Sequence, residues 1–160
     1  MILYRQSGKI FDQEELAEFF NVKIHPSLVS CFTKKFETTD KINDDEGLKT
    51  IEEEERINDF FQEKNIELKA EAYHLSKILA EGTLSEFINI CIEEDKDMWV
   101  EYKLEGLFSG NKGIHDGLIE SISEDKIVMI NPGYDTPNRY TFDINQLEEA
   151  LSKKFARETG

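Results

Sequence analysis

Cysteine, cationic side chains and long apolar runs are scarce in this sequence, and each scarcity removes a class of protein. The only cysteines are Cys31 and Cys91; they form no CxxC and are too few for a disulfide framework, which fits a reducing compartment. Lys and Arg number 19 against 34 Asp and Glu, a net charge of −15. Such a field repels phosphate backbones and anionic headgroups over a Debye length of about 8 Å, so neither nucleic acid nor a membrane is expected as a partner. No run reaches the roughly 18 apolar residues of a membrane span. The start Met1-Ile2-Leu3-Tyr4-Arg5-Gln6 lacks a basic segment leading into a long apolar one, and a cytoplasmic protein is expected. No HExxH, Walker or dinucleotide glycine pattern occurs, and His25 and His74 have no partner at zinc-ligand spacing, so no cofactor or metal is expected. Asp44-Asp45-Glu46-Gly47 with Glu53 imitates part of a calcium loop. Ile42 takes the first ligand position, however, and Lys49 stands where an EF-hand needs an apolar residue.

What remains is enough for a core. Hydrophobic residues make up 39% of the 160, with Phe at eleven positions, and one domain over 1–160 of α+β class is expected, mainly helical over 1–97 and sheet-forming over 98–153. Asp12 followed by Glu15 is a helix start, with Leu16, Phe19 and Phe20 on one face. Ser27 to Phe36 after His25-Pro26 reads as a helical piece, and Glu37 to Gly47 as a loop. Leu48 to Lys64 is expected as a helix ending at Asn65, with Ile51, Ile57, Phe60 and Phe61 buried and Glu52 to Glu55 mostly solvated. Ile66 to Tyr73 alternates apolar and polar, the period of a half-buried strand. Leu84 to Glu94 is an amphipathic helix with Cys91 on its apolar stripe. Strands follow at Met98–Leu104, Ile114–Ile122, Ile127–Ile130 and Arg139–Phe142, the first three in one antiparallel sheet with helices on one side. A closing helix begins at Asp143, with Gln146 at its third position. No internal repeat is visible.

The stretch Trp99-Val100-Glu101-Tyr102-Lys103-Leu104-Glu105-Gly106, then Gly113-Ile114-His115-Asp116-Gly117, then Ile127-Val128-Met129-Ile130-Asn131-Pro132-Gly133, then Tyr140-Thr141-Phe142-Asp143, resembles the C39-like branch of the papain-like cysteine peptidases. In that branch a strand and a Gly-bearing loop lead to a His at the start of a strand. The next strand ends in Asp-Pro or Asn-Pro, and a short strand enters a final helix. The resemblance covers about 98–153. It implies a papain-like fold, half helical and half antiparallel sheet, with His115 as general base and Asn131 as its orienting partner. The two lie 16 positions apart, the interval expected of adjacent antiparallel strands that bring a residue at the start of one beside a residue at the end of the next. An imidazole pairs with a thiolate near neutral pH, and an amide oxygen accepting the other ring N–H fixes its tautomer. Without the surrounding pattern, His115 is a polar strand residue and Asn131-Pro132-Gly133 an ordinary turn.

The family's nucleophile begins the first helix, and Met1 to Lys9 resembles only the tail of that helix, which would put the Cys before Met1. Three readings follow: a non-catalytic descendant, a truncated form of a longer enzyme, or Cys31 as the thiol. Cys31 lies among Leu28, Val29 and Phe32 with no following Gly, and is expected to be buried, away from the His–Asn pair. The absent nucleophile favours a protein that binds a peptide or protein partner. The alternative is an active C39-like peptidase, or a thiol acyl-transfer enzyme, using His115 and Asn131 with Cys31 or an upstream Cys.

Overall fold

In the computed structural model, which describes residues 2–23, 26–31, 33–38, 54–109, 113–131 and 138–155, the helix ends are written in the local sequence. Helix α1 spans Ile2–Ser7 and α2 spans Gln13–Phe19. The Asp12 carboxylate accepts from the backbone N–H groups of Glu14 and Glu15 at 2.8 and 3.4 Å, satisfying two donors that a helix start leaves open. A 3₁₀ turn covers Pro26–Cys31, and α3 spans Glu54–Glu63. Then come α4 (Leu75–Glu81), α5 (Leu84–Glu93), β1 (Met98–Lys103), α6 (Leu104–Leu107), β2 (Ile114–Ser123), β3 (Lys126–Asn131), β4 (Asn138–Asp143) and α7 (Ile144–Phe155). Asn21, Asn65 and Asp95 follow α2, α3 and α5 at φ of 51, 52 and 55°. Each is succeeded by an amide that reaches back to close the last turn: Val22 to Ala17 at 2.9 Å, Ile66 to Phe61 at 2.8 Å and Lys96 to Cys91 at 2.8 Å. Asn and Asp tolerate the left-handed conformation that this closure needs.

The chain divides into two compact units, Met1–Ala72 and Tyr73–Gly160. In the first, Phe60 is 1% exposed and serves as an aromatic hub. Phe11, Phe19 and Phe20 surround it at centroid distances of 5.2, 5.1 and 5.8 Å, the first two edge-on as ring quadrupoles prefer. The Lys9 ammonium donates to the carbonyls of Lys64 and Asn65, both at 3.0 Å, and so caps the carbonyl end of α3. Glu14 accepts from the Thr33 N–H and hydroxyl and from the Lys34 N–H at 2.7, 2.6 and 3.0 Å. These bonds, the Thr33 hydroxyl first, hold its carboxyl below the usual range.

Two expectations need correction here, and two short helices were not foreseen. Residues 66–73 are not a strand. Burial does alternate, with Ile66 buried, Leu68, Ala70 and Ala72 half-buried and the residues between them exposed, yet there is no ladder. Side chains of α3 substitute for a partner strand. Asn58 accepts from the Ala70 N–H at 2.8 Å and donates to its carbonyl at 3.0 Å, and Glu54 accepts from the Ala72 N–H at 2.8 Å. Glu54 is therefore half-buried and engaged rather than merely solvated. The helical piece expected over 27–36 is only the Pro26–Cys31 turn. Finally, α4 and α6 escaped the sequence reading, being too short to show a full period. The calcium-like loop, His25, the start of the helix expected from Leu48 and the Pro132-Gly133 turn lie outside the described residues.

In the second unit the sheet is antiparallel with order β1-β2-β3-β4, as the closely spaced strands required. One face carries Tyr102, Ile119, Ile127 and Met129, which share a core with Leu75, Leu84, Ile88, Ile144, Leu147 and Ala150 from α4, α5 and α7. Asp143 enters α7 with its N–H bonded to the Gln146 side chain at 3.0 Å. Among the described residues no helix is long and apolar enough to cross a membrane.

Two substitutions test this packing. A Cβ on Gly106 would lie 2.5 and 2.6 Å from Cβ and Cα of Ala150, so α6 seats directly on the backbone of α7. Gly106→Ala is expected to cost about 1–3 kcal/mol in chemical denaturation; an unchanged midpoint would refute the close approach. Asn58→Ala leaves the half-buried Ala70 amide without its partners, a loss of roughly 1–3 kcal/mol. Hydrogen exchange at Ala70 should accelerate in that variant, and unaltered exchange would show that something else holds the segment.

Candidate functional site

His115 is the second residue of β2 and Asn131 the last of β3. Their side chains meet, His115 Nε2 to Asn131 Oδ1 at 2.9 Å. Because the amide oxygen can only accept, Nε2 carries the proton and donates, which leaves the Nδ1 lone pair as the basic site of the ring. Asn131 is 5% exposed and His115 is half-buried. The asparagine is thus an internal anchor while the imidazole stays within reach of solvent. Asp116, next to His115 in sequence, alternates to the other face and stands opposite Glu101.

Spacing alone would not have produced this contact. The β2–β3 turn pairs Ser123 with Lys126 and Ile122 with Ile127, residues an odd number of positions apart. In an unbroken ladder, residues an even number apart would face opposite sides, because side chains alternate with period two. His115 and Asn131 are 16 apart. Between Ile119 and Ser121 the register shifts, so that Glu120 is an extra residue on β2. Beyond this bulge Ile119 pairs with Met129 and Leu118 with Ile130, and even separations now share a face. Bulges re-aim side chains in this way. Glu120 is fastened across the sheet by Arg139 of β4, whose Nε and terminal nitrogen reach its carboxylate at 2.7–2.9 Å. That pairing holds the Glu120 carboxyl below its usual range.

Two neighbours complete the setting. Tyr102, 1% exposed, is the direct cross-strand partner of His115, with ring centroids 6.0 Å apart at 89°. Gly117 follows on the same face of β2, and a Cβ there would fall 2.7 Å from Met129 Cε and 3.3 Å from Tyr102 Cε1. Sequence reasoning passed over both residues. The signal was present: folding β1 and β2 back on each other across the Gly-bearing connection sets Tyr102 opposite His115.

The cysteines fare differently. Cys91 lies in the core of α5, and burial pushes its thiol up, as its place on the apolar stripe implied. Cys31 was expected to be buried and is exposed. Cys31 ends a six-residue 3₁₀ segment, about two turns, of which Pro26, Ser27, Val29 and Ser30 are exposed as well. It closes that segment at the carbonyl end, whereas activated thiols sit where helix N–H groups point at the sulfur. Among the described residues no group of three or more His, Cys, Asp or Glu side chains could hold a metal ion. No family model, curated protein or solved structure matches this chain.

The hydrogen bond predicts a single imidazole tautomer. Long-range proton–nitrogen NMR should report neutral His115 in its Nε2–H form, and Asn131→Ala should convert it to a mixture of tautomers. An unchanged pattern in that variant would mean that Asn131 does not set the proton.

Proposed function

We propose that this chain is a C39-type papain-fold protein that retains the histidine and asparagine of the family's site and binds a peptide or protein rather than cleaving one. The observation that carries the reading is the 2.9 Å contact between His115 and Asn131, set within the order strand, Gly-bearing connection, His strand, Asn strand, short strand and closing helix. A half-buried imidazole whose Nδ1 carries no proton can accept a hydrogen bond from a partner's N–H or O–H. The net charge of −15 favours a partner carrying positive charge. Hydrolysis by this pair needs a thiol whose proton Nδ1 can take, and Cys31 stands at the carbonyl end of its 3₁₀ segment rather than at a helix N-terminus, where thiols are activated.

Iodoacetamide labelling at neutral pH, followed by mass spectrometry, tests the reading alongside assays on fluorogenic peptides. Cys31 should label at the rate of an ordinary exposed thiol, equally in wild type and His115→Ala, with no thiol-dependent hydrolysis. A library of basic peptides should yield binders that His115→Ala weakens. Fast labelling of Cys31 that His115→Ala abolishes, together with hydrolysis, would instead make Cys31 the nucleophile of an active peptidase or acyl-transfer enzyme.

A further inference from the structure

We infer that Tyr102 is a positioning residue for His115, holding the imidazole in the one orientation from which Nε2 reaches Asn131. The inference rests on the paired histidine and asparagine and not on the family assignment. A ring held at one nitrogen still swings about its broad χ2 torsion, so the contact with Asn131 needs a second restraint roughly perpendicular to it. Tyr102 supplies that restraint from the other flanking strand. It is the register partner of His115 across β1 and β2, and its ring meets the imidazole at 6.0 Å and 89°, inside the range of favourable edge-to-face pairs. At 1% exposure it is held by the core shared with α4, α5 and α7, and so acts as a fixed wall.

Gly117 makes this possible. It is the next residue on that face of β2, and any Cβ there would press on Tyr102 Cε1 at 3.3 Å and on Met129 Cε at 2.7 Å. The space that a side chain at 117 would fill is taken by the tyrosine ring and the methionine methyl. β1 and β3 therefore grip the imidazole from its two sides, with Tyr102 on one and Asn131 on the other.

The test reads the ratio of Nε2–H to Nδ1–H tautomers of His115 by nitrogen NMR in the full chain. Tyr102→Phe keeps the ring and should keep the wild-type ratio. Tyr102→Leu removes it, and the ratio should fall by roughly threefold to tenfold. Because Tyr102 is buried, Tyr102→Met is measured as well, since its flexible chain fills much of the volume without an aromatic face; it should behave as the leucine variant does. Wild-type ratios in whichever of these two variants keeps the native amide spectrum, with a lowered ratio in Asn131→Ala, would overturn the role of Tyr102 and leave the pair intact. A wild-type ratio in Asn131→Ala would overturn both. A loss in Tyr102→Phe as large as in Tyr102→Leu would also refute the inference, since the hydroxyl rather than the ring face would then be responsible.

Discussion

The extra residue that β2 absorbs between Ile119 and Ser121 is the constraint on which the second unit depends. On the turn side of the bulge, Ile122 and Ile127 face the helices; on the far side Ile119 and Met129 do so, followed by His115 and Asn131. A regular ladder would satisfy one half of this list and turn the other half toward the opposite face. Ile127 and Met129 share a face of β3 in either register, but burial of Ile119, 8% exposed, beside them requires the bulge, at a stake of about 1.5–3 kcal/mol for a large apolar side chain. The meeting of His115 with Asn131 is thus enforced by hydrophobic burial further along the same strands. The Glu120–Arg139 fork contributes less, because both groups are substantially exposed.

The pair occupies the rim of the core face and not its centre. One polar partner, Asn131, is buried and has its oxygen satisfied by the ring, as a buried amide must. The other, His115, stays half-buried. Buried asparagine, half-buried imidazole and an aromatic ring from β1 leave Nδ1 as a hydrogen-bond acceptor. Chemistry beyond that depends on what approaches Nδ1.

The first unit solves a different problem, that of ordering an extended segment without a sheet. Ile66, Leu68 and Ala70 pack against the phenylalanine cluster. The main-chain groups pointing toward α3 would be costly if left bare. Asn58 presents one acceptor and one donor to the same residue, Ala70, which is the pattern a neighbouring strand offers at a hydrogen-bonded pair. Polar helix side chains thus take over the role of a strand.

The sequence by itself determined much of the second unit. Alternation placed the four strands to within a residue or so at each end, and the Asp143 and Gln146 pairing marked the entry to α7. The apolar stripe marked α5, and Asn65 marked the end of α3. These features are local: they depend on period, caps and turn chemistry within a few positions. Alternation also identified which of residues 66–73 are buried, but could not say whether a strand would lie alongside, because the partner is a set of helix side chains. The exposure of Cys31 was likewise hidden, since apolar neighbours in sequence do not by themselves decide which side of a 3₁₀ segment meets a core. The site was half legible. The types and order of His115 and Asn131 were on the page, but an even separation across a tight turn points the two apart. Only the tertiary structure brought them together, because the bulge that does so is selected by which isoleucines and methionine the helices bury, and that choice is made by packing across the whole unit.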